Sequence, residues 1–237
     1  MLSFYVDNCW KPPGSVQRNA LLQSILPRDC WSYSMPIPSE GSENAVALME
    51  RVAIKLGARV APKRAIEFAC GRCCAALALR SAGAAAAIVS VGQDRKPVWP
   101  MGFVGSITHT DHYCWAAAWS TESGLGLGID SEPILDPPTA ADILSLVRTE
   151  TDVASPAWLS FEEYLTILFS AKESIFKAVS SSFENILDFQ DVSICALTRS
   201  NFHWRIPAHG LDRSIAKGSG RYLLWAGMCH SAVAVHR

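Results

Sequence analysis

Asp130 and Glu132 stand two residues apart at the end of the stretch Gly126-Leu127-Gly128-Ile129-Asp130-Ser131-Glu132. Side chains alternate faces along an extended chain, so if Leu127 and Ile129 begin a strand, the two carboxylates project to one side, roughly 6–7 Å apart. One hard cation can bridge that gap, and oxygen ligands are what Mg²⁺ selects. For D-x-E alone, a strand end with two solvated acids is the plainer account. A second group of reactive residue types follows in Phe169-Ser170-Ala171-Lys172-Glu173-Ser174-Ile175-Phe176-Lys177-Ala178. Apolar Phe161, Leu165, Leu168, Phe169, Phe176 and Val179 recur at helical spacing between about Trp158 and Val179. Glu173 and Lys177, one helical turn apart, therefore share a face. A third carboxylate with a lysine one turn further along suits a metal-plus-phosphate site, where the alternative is a surface ion pair. Lys172 points elsewhere and reads as a solvated side chain.

Taken together, the two stretches resemble the paired signature of the 4'-phosphopantetheinyl transferases. Lys96-Pro97-Val98-Trp99-Pro100-Met101-Gly102-Phe103-Val104-Gly105-Ser106-Ile107-Thr108-His109-Thr110 resembles the same family in its enterobactin-synthase component D branch, as does Lys63-Arg64-Ala65-Ile66-Glu67-Phe68-Ala69-Cys70-Gly71-Arg72. These blocks lie in the family's order between about residues 60 and 180, and the resemblance fades towards both ends. It implies an α+β fold of two pseudo-symmetric halves, each a helix packed on a small antiparallel three-stranded sheet. Residues 1–119 would form the coenzyme A-binding half and 120–237 the carboxylate half, with one composite active site between them.

Composition is compatible with such a fold. At 237 residues, with 49% hydrophobic and 18% charged residues, the chain has enough apolar material for a substantial core. A net charge of −1 supplies no global field towards nucleic acid or an anionic membrane, so phosphate binding must come from local clusters. Met1 to Asn8 lacks the basic, then apolar, pattern of a secretory signal. The tract from Cys73 to Val89 is broken by Arg80, Ser81 and Gly83, too weak for a membrane span. A cytoplasmic location follows as the expectation, with the eight cysteines as reduced thiols. Cys70-x-x-Cys73-Cys74 has no second ligand pair nearby and reads as small buried side chains rather than a zinc site.

The elements that must position the reactive residues are a helix from about Ser42 to Leu56 and another from about Pro62 to Ala82, ending near Gly83. A strand at Ala86 to Val91 follows, then one through Ser106 to His109 and one through Trp115 to Trp119. A turn at Thr121 to Gly124 leads into the Asp130 strand. A short helix at Ala140 to Arg148 precedes the Glu173 helix, and strands are expected near Val192 to Leu197, Asn201 to Ile206 and Tyr222 to Val235. Arg64 and Arg72, two turns apart, can reach one side of their helix while Phe68 and Leu79 pack inward. Prolines at 97 and 100 deny ladder donors, so the Arg95 to Pro100 segment cannot lie mid-sheet. Ser106 and Thr108 share one strand face, and His109 lies on the other. His203, His209, His230 and His236 have no partner legible in the sequence.

The resemblance implies roles. Arg64, Arg72, one of Arg95 or Lys96, Thr108 and His109 would hold coenzyme A phosphates. Asp130, Glu132 and Glu173 would bind Mg²⁺, with Mn²⁺ an alternative that oxygen ligands do not separate. Asp130, Glu173 and Lys177 would also contact coenzyme A. The metal would neutralise the diphosphate, and Lys177 and His109 would carry charge developing on the leaving 3',5'-ADP. Glu173 or a metal-held water would take the proton from the attacking serine. The implied partner is an apo acyl or peptidyl carrier protein of fatty-acid, polyketide, siderophore or nonribosomal-peptide synthesis, with Arg148 and Lys217 as candidates for a basic rim. A monomer without nucleic-acid or membrane partners is expected. The competing readings are a Mg²⁺-dependent phosphohydrolase acting on a nucleotide diphosphate and an inactive coenzyme A or carrier-protein-binding module.

Overall fold

The computed structural model describes residues 16–48, 61–92, 96–180, 187–206 and 216–236. The chain divides into two compact units, Met1–Ser123 and Gly124–Arg237. Both are α+β, each with its own hydrophobic core.

In the first unit a short helix α1 (Ala20–Gln23) precedes β1 (Trp31–Pro36), and residues 43–48 are helical. The continuation of that expected helix to Leu56 lies outside the described residues. The long helix α2 (Pro62–Ser81) starts with proline in its first turn, where the missing N–H costs nothing. It stops at Gly83, whose φ of 89° and N–H to the Arg80 carbonyl close the last turn. Ladder β2 (Ser90–Val91) and β3 (Pro97–Val98) form a two-stranded ribbon, shorter than the expected strand from Ala86 because Pro97 limits pairing. Strands β4 (Phe103–His109) and β5 (Tyr113–Ser120) join β1 in an antiparallel sheet of order β1-β5-β4. The inner face of α2 is built of small residues, Ala69, Cys70, Cys73, Cys74 and Ala76, in one core with Cys114, Ala116 and Ala118 of β5. Small against small lets helix and sheet approach closely, so the Cys70, Cys73 and Cys74 thiols are packing groups, all buried and none in a disulfide.

The second unit places β6 (Gly124–Pro133), β7 (Ser193–Leu197), β8 (Asn201–Arg205), β9 (Lys217–Trp225) and β10 (Met228–His236) in one antiparallel sheet of order β6-β10-β9-β8-β7. Among the described residues five strands, not three, make up this sheet. The region expected to be one strand from Tyr222 to Val235 is a hairpin whose two-residue turn, Ala226-Gly227, has φ of 50° and 76°. Positive φ at both positions is the geometry of a primed turn, and alanine there hides the turn from composition. Helix α3 (Pro137–Val147) is capped by the Asp136 side chain on Thr139 N–H at 3.0 Å. Helix α4 (Phe161–Val179) opens with a reciprocal capping box between Ser160 and Glu163. Among the described residues no helix is long and apolar enough to cross a membrane.

Candidate active site

Helix α4 lies across β6 and β10, and glycine sets how close it comes. A Cβ on Gly126 would collide with the Ala178 carbonyl, and one on Gly128 with the Ser174 carbonyl. The same strand face carries Asp130 and Glu132 two and four residues further on, so the glycines bring both acids against the helix. Ser231 of β10 completes the seam: its hydroxyl donates to the Ser170 carbonyl at 2.8 Å.

Lys177, in the last turn of α4, donates from Nζ to Asp130 Oδ1 at 2.7 Å and to the Ile129 carbonyl at 3.3 Å. Asp130 is 2% exposed. Glu132 and Glu173 are both half-buried. Burial pushes the Glu132 carboxyl up to about 7, with Asp130 and then Glu173 adding to the rise and Lys177 opposing it. Glu173 is raised for the same reason, burial first, with Lys177 opposing and Asp130 adding. The three acids and the lysine thus form one electrostatic group on a strand and the helix packed against it. Three acids against one lysine leave negative charge uncompensated, and hard oxygen donors in that state suit a divalent cation. As the side chains stand, no set of three or more His, Cys, Asp or Glu residues among those described is already arranged to hold a metal. Lys177 occupies Asp130 instead.

Lys172, expected to be solvated, is wholly buried. Its ammonium donates to Asp152 Oδ2 at 2.8 Å, to the Val147 carbonyl at 2.8 Å and to the Phe189 carbonyl at 3.0 Å. Asp152 also accepts from Thr149 N–H and Ile194 N–H. The pair anchors the catalytic-looking helix to the segment after α3 and to β7, so that Glu173, the next residue, faces the acids. The sequence hides this because the partner lies in an irregular segment with no motif of its own. His230 has a partner as well: its Nδ1 lies 2.8 Å from the Ser131 hydroxyl, directly across the β6–β10 ladder.

In the first unit, Arg64 extends from α2 with Nη1 2.9 Å from His109 Nε2 and 3.3 Å from Glu67 Oε2. The structure separates Arg64 from Arg72. Arg72 is 6% exposed, stacks on the Phe68 ring at 4.6 Å and donates to the Ser90 carbonyl at 3.3 Å. Burial lowers its pKa to about 10. Among the described residues its buried Nε has no hydrogen-bond partner. Thr108 is buried on β4 beside the half-exposed His109. Lys96 precedes β3 and is exposed, while Arg95 lies outside the described residues. Glu67, which sequence reasoning passed over, sits 8% exposed between Arg64 and His109. Its position three residues after Arg64 on a helix is the signal that could have found it.

Comparison with known proteins finds matches in both units of the chain. Residues 50–119 match the family model described as the 4'-phosphopantetheinyl transferase N-terminal domain. Residues 126–223 match that of the 4'-phosphopantetheinyl transferase superfamily. The chain is 29% identical to 4'-phosphopantetheinyl transferase Svp of Streptomyces mobaraensis over 91% of its own length and 89% of that protein's. It is 37% identical to enterobactin synthase component D of Shigella flexneri over 55% of this chain and 63% of the relative. With 4'-phosphopantetheinyl transferase PptT of Mycobacterium tuberculosis it shares 36% identity over 60% of this chain and 63% of the relative. The last two matches therefore span less than two thirds of those relatives. Members of this family are enzymes that attach phosphopantetheine from coenzyme A to carrier-protein domains. Both halves of the chain carry the family's pattern, and the protein belongs to the 4'-phosphopantetheinyl transferase family.

Proposed function

We propose that this chain transfers 4'-phosphopantetheine from coenzyme A to a serine hydroxyl of an apo acyl or peptidyl carrier protein, in a Mg²⁺-dependent reaction that releases 3',5'-ADP. The observation that supports it most is the group of Asp130, Glu132, Glu173 and Lys177, in which three carboxylates share one lysine. Asp130, Glu132 and Glu173 would hold the metal, which when bound supplies positive charge to the diphosphate. Lys177 brings a second positive charge to the same oxygens, released from Asp130 as the site fills. Glu173, whose raised proton affinity suits a general base, accepts the serine proton directly or through a water. In the first unit Arg64, His109, Thr108 and one of Arg95 or Lys96 bind the nucleotide phosphates, and Arg72 braces the Phe68 ring and the Ser90 carbonyl. Because enterobactin synthase component D is among the relatives, a carrier domain of siderophore or other nonribosomal-peptide synthesis is the first partner to try.

A stoichiometric test separates this reading from hydrolysis. The protein is incubated with coenzyme A and Mg²⁺, with and without an apo carrier protein, and 3',5'-ADP is measured. Release only when the carrier is present supports transfer. Release from coenzyme A alone, at a rate the carrier does not change, overturns it in favour of a phosphohydrolase.

A further inference from the structure

Glu67 is almost fully buried, yet its carboxylate faces two groups that a phosphate would need. Oε2 accepts from Arg64 Nη1 at 3.3 Å and stands 3.8 Å from His109 Nε2. Arg64 Nη1 is also 2.9 Å from that same His109 nitrogen. A guanidinium has five N–H donors and no acceptor, so Nε2 is the acceptor in this contact. In this contact Nε2 therefore carries no proton. The cluster pairs the Arg64 guanidinium with the Glu67 carboxylate, and Nε2 of the imidazole meets the guanidinium as an acceptor. A phosphate dianion arriving at this cluster takes up the donors of Arg64. The Nε2 lone pair then faces phosphate oxygens on one side and Glu67 on the other, acceptor against acceptor. A proton on Nε2 turns both contacts attractive.

We propose that Glu67 is a positioning residue that makes capture of a phosphate by Arg64 and His109 depend on uptake of one proton at His109. This rests on the reading that the cluster holds a phosphate of coenzyme A, the 3'-phosphate being the one absent from 3'-dephospho-coenzyme A. Among the described residues, the other charged groups near His109 include an ion pair whose carboxylate His109 also influences. Lys63 of α2 is paired with Asp111 at 2.8 Å, and both are exposed. Asp111 and His112 lie in the turn after β4. Cys114, across the ladder on β5, is held as a neutral thiol by its hydrogen bond to Cys74 and by burial. Among the described residues, Glu67 is the carboxylate paired with Arg64, and so the group that makes a second cation favourable.

The test is calorimetric titration of the full chain with coenzyme A and with 3'-dephospho-coenzyme A at about pH 8, above the usual histidine value of about 6.5. Two buffers of different ionisation enthalpy report the protons exchanged. The expected result is uptake of about one more proton with coenzyme A than with the dephospho form. By linkage, the preference for coenzyme A then falls about ten-fold per pH unit between about pH 7.5 and 8.5. Glu67→Gln leaves Arg64 uncompensated, so uptake drops below about half a proton and the pH slope flattens. His109→Gln, with Glu67 intact, abolishes the uptake and serves if the Glu67 variant does not fold. A preference for coenzyme A without proton uptake overturns the proposal, as does unchanged uptake in Glu67→Gln. Equal binding of the two ligands by the wild type overturns the phosphate reading beneath it.

Discussion

Lys177 Nζ lies 2.7 Å from Asp130 Oδ1, joining the last turn of α4 to β6 at the residue two beyond Gly128. The contact exists because the helix backbone rests directly on Gly126 and Gly128, with no side chain between. The position of the lysine is thus set by what two strand residues lack.

Gly128→Ala is the sharpest probe of that closeness. Its Cβ would meet the Ser174 carbonyl, which is backbone and cannot rotate away. Overpacking of this kind costs about 1–3 kcal/mol and shifts the helix that carries Glu173 and Lys177. Urea unfolding should show the loss, and carrier modification should fall by more than about ten-fold even where the protein remains folded. Full activity in the alanine variant would show that the close approach is dispensable.

Glu173→Gln and Lys177→Ala should act on the chemical step. Loss of a general base or of a charge aimed at the phosphates lowers kcat by about 10²–10⁴. Both variants should fold, since neither side chain is fully buried. Steady-state kinetics with saturating coenzyme A separates this from a binding defect, which would appear in KM alone.

Glu132 predicts a pH effect on stability. Its folded-state carboxyl is raised from 4.5 to about 7, so the native protein holds this proton more tightly than the unfolded chain does. Stability from this source is complete below about pH 4.5 and is lost as the pH rises through about 7. In chelator, the wild type should be less stable at pH 8 than at pH 5.5 by about 1 kcal/mol after solvent screening of a half-buried group, seen as a lower melting temperature. Glu132→Gln should flatten this profile and raise stability at pH 8. Added Mg²⁺ should stabilise the wild type at pH 8 and leave the Gln variant little changed. Equal Mg²⁺ stabilisation of both would remove Glu132 from the metal set.

The parts of this protein that were legible before the structure are those written in local pattern. Apolar spacing marks α4, and alternation along β6 places Asp130 and Glu132 on one side. What escaped depends on partners distant in the chain. Lys172 looks like any helix-surface lysine until Asp152 is found beneath it. Ala226 carries no glycine or asparagine signature for the positive φ it adopts, so the β9–β10 hairpin read as one strand. The burial of Arg72 depends on Phe68 and Ser90 closing over a guanidinium that helical spacing alone leaves in solvent.

Lys172→Met tests the buried pair. Asp152 would keep its two backbone donors but lose its countercharge, and breaking a buried pair from one side costs about 3–5 kcal/mol. The double variant Lys172→Met/Asp152→Asn should be less destabilised than the sum of the singles by at least about 1 kcal/mol, read by chemical denaturation. Additive losses would mean that the two side chains act independently.

Mass spectrometry of an apo carrier protein, after incubation with this chain, coenzyme A and Mg²⁺, tests transfer most directly. The account predicts a carrier heavier by one phosphopantetheine arm on its serine, with the gain abolished by chelator and strongly reduced with Glu173→Gln. An unmodified carrier in the presence of the folded wild type, from a preparation of carriers that another transferase does modify, would contradict it.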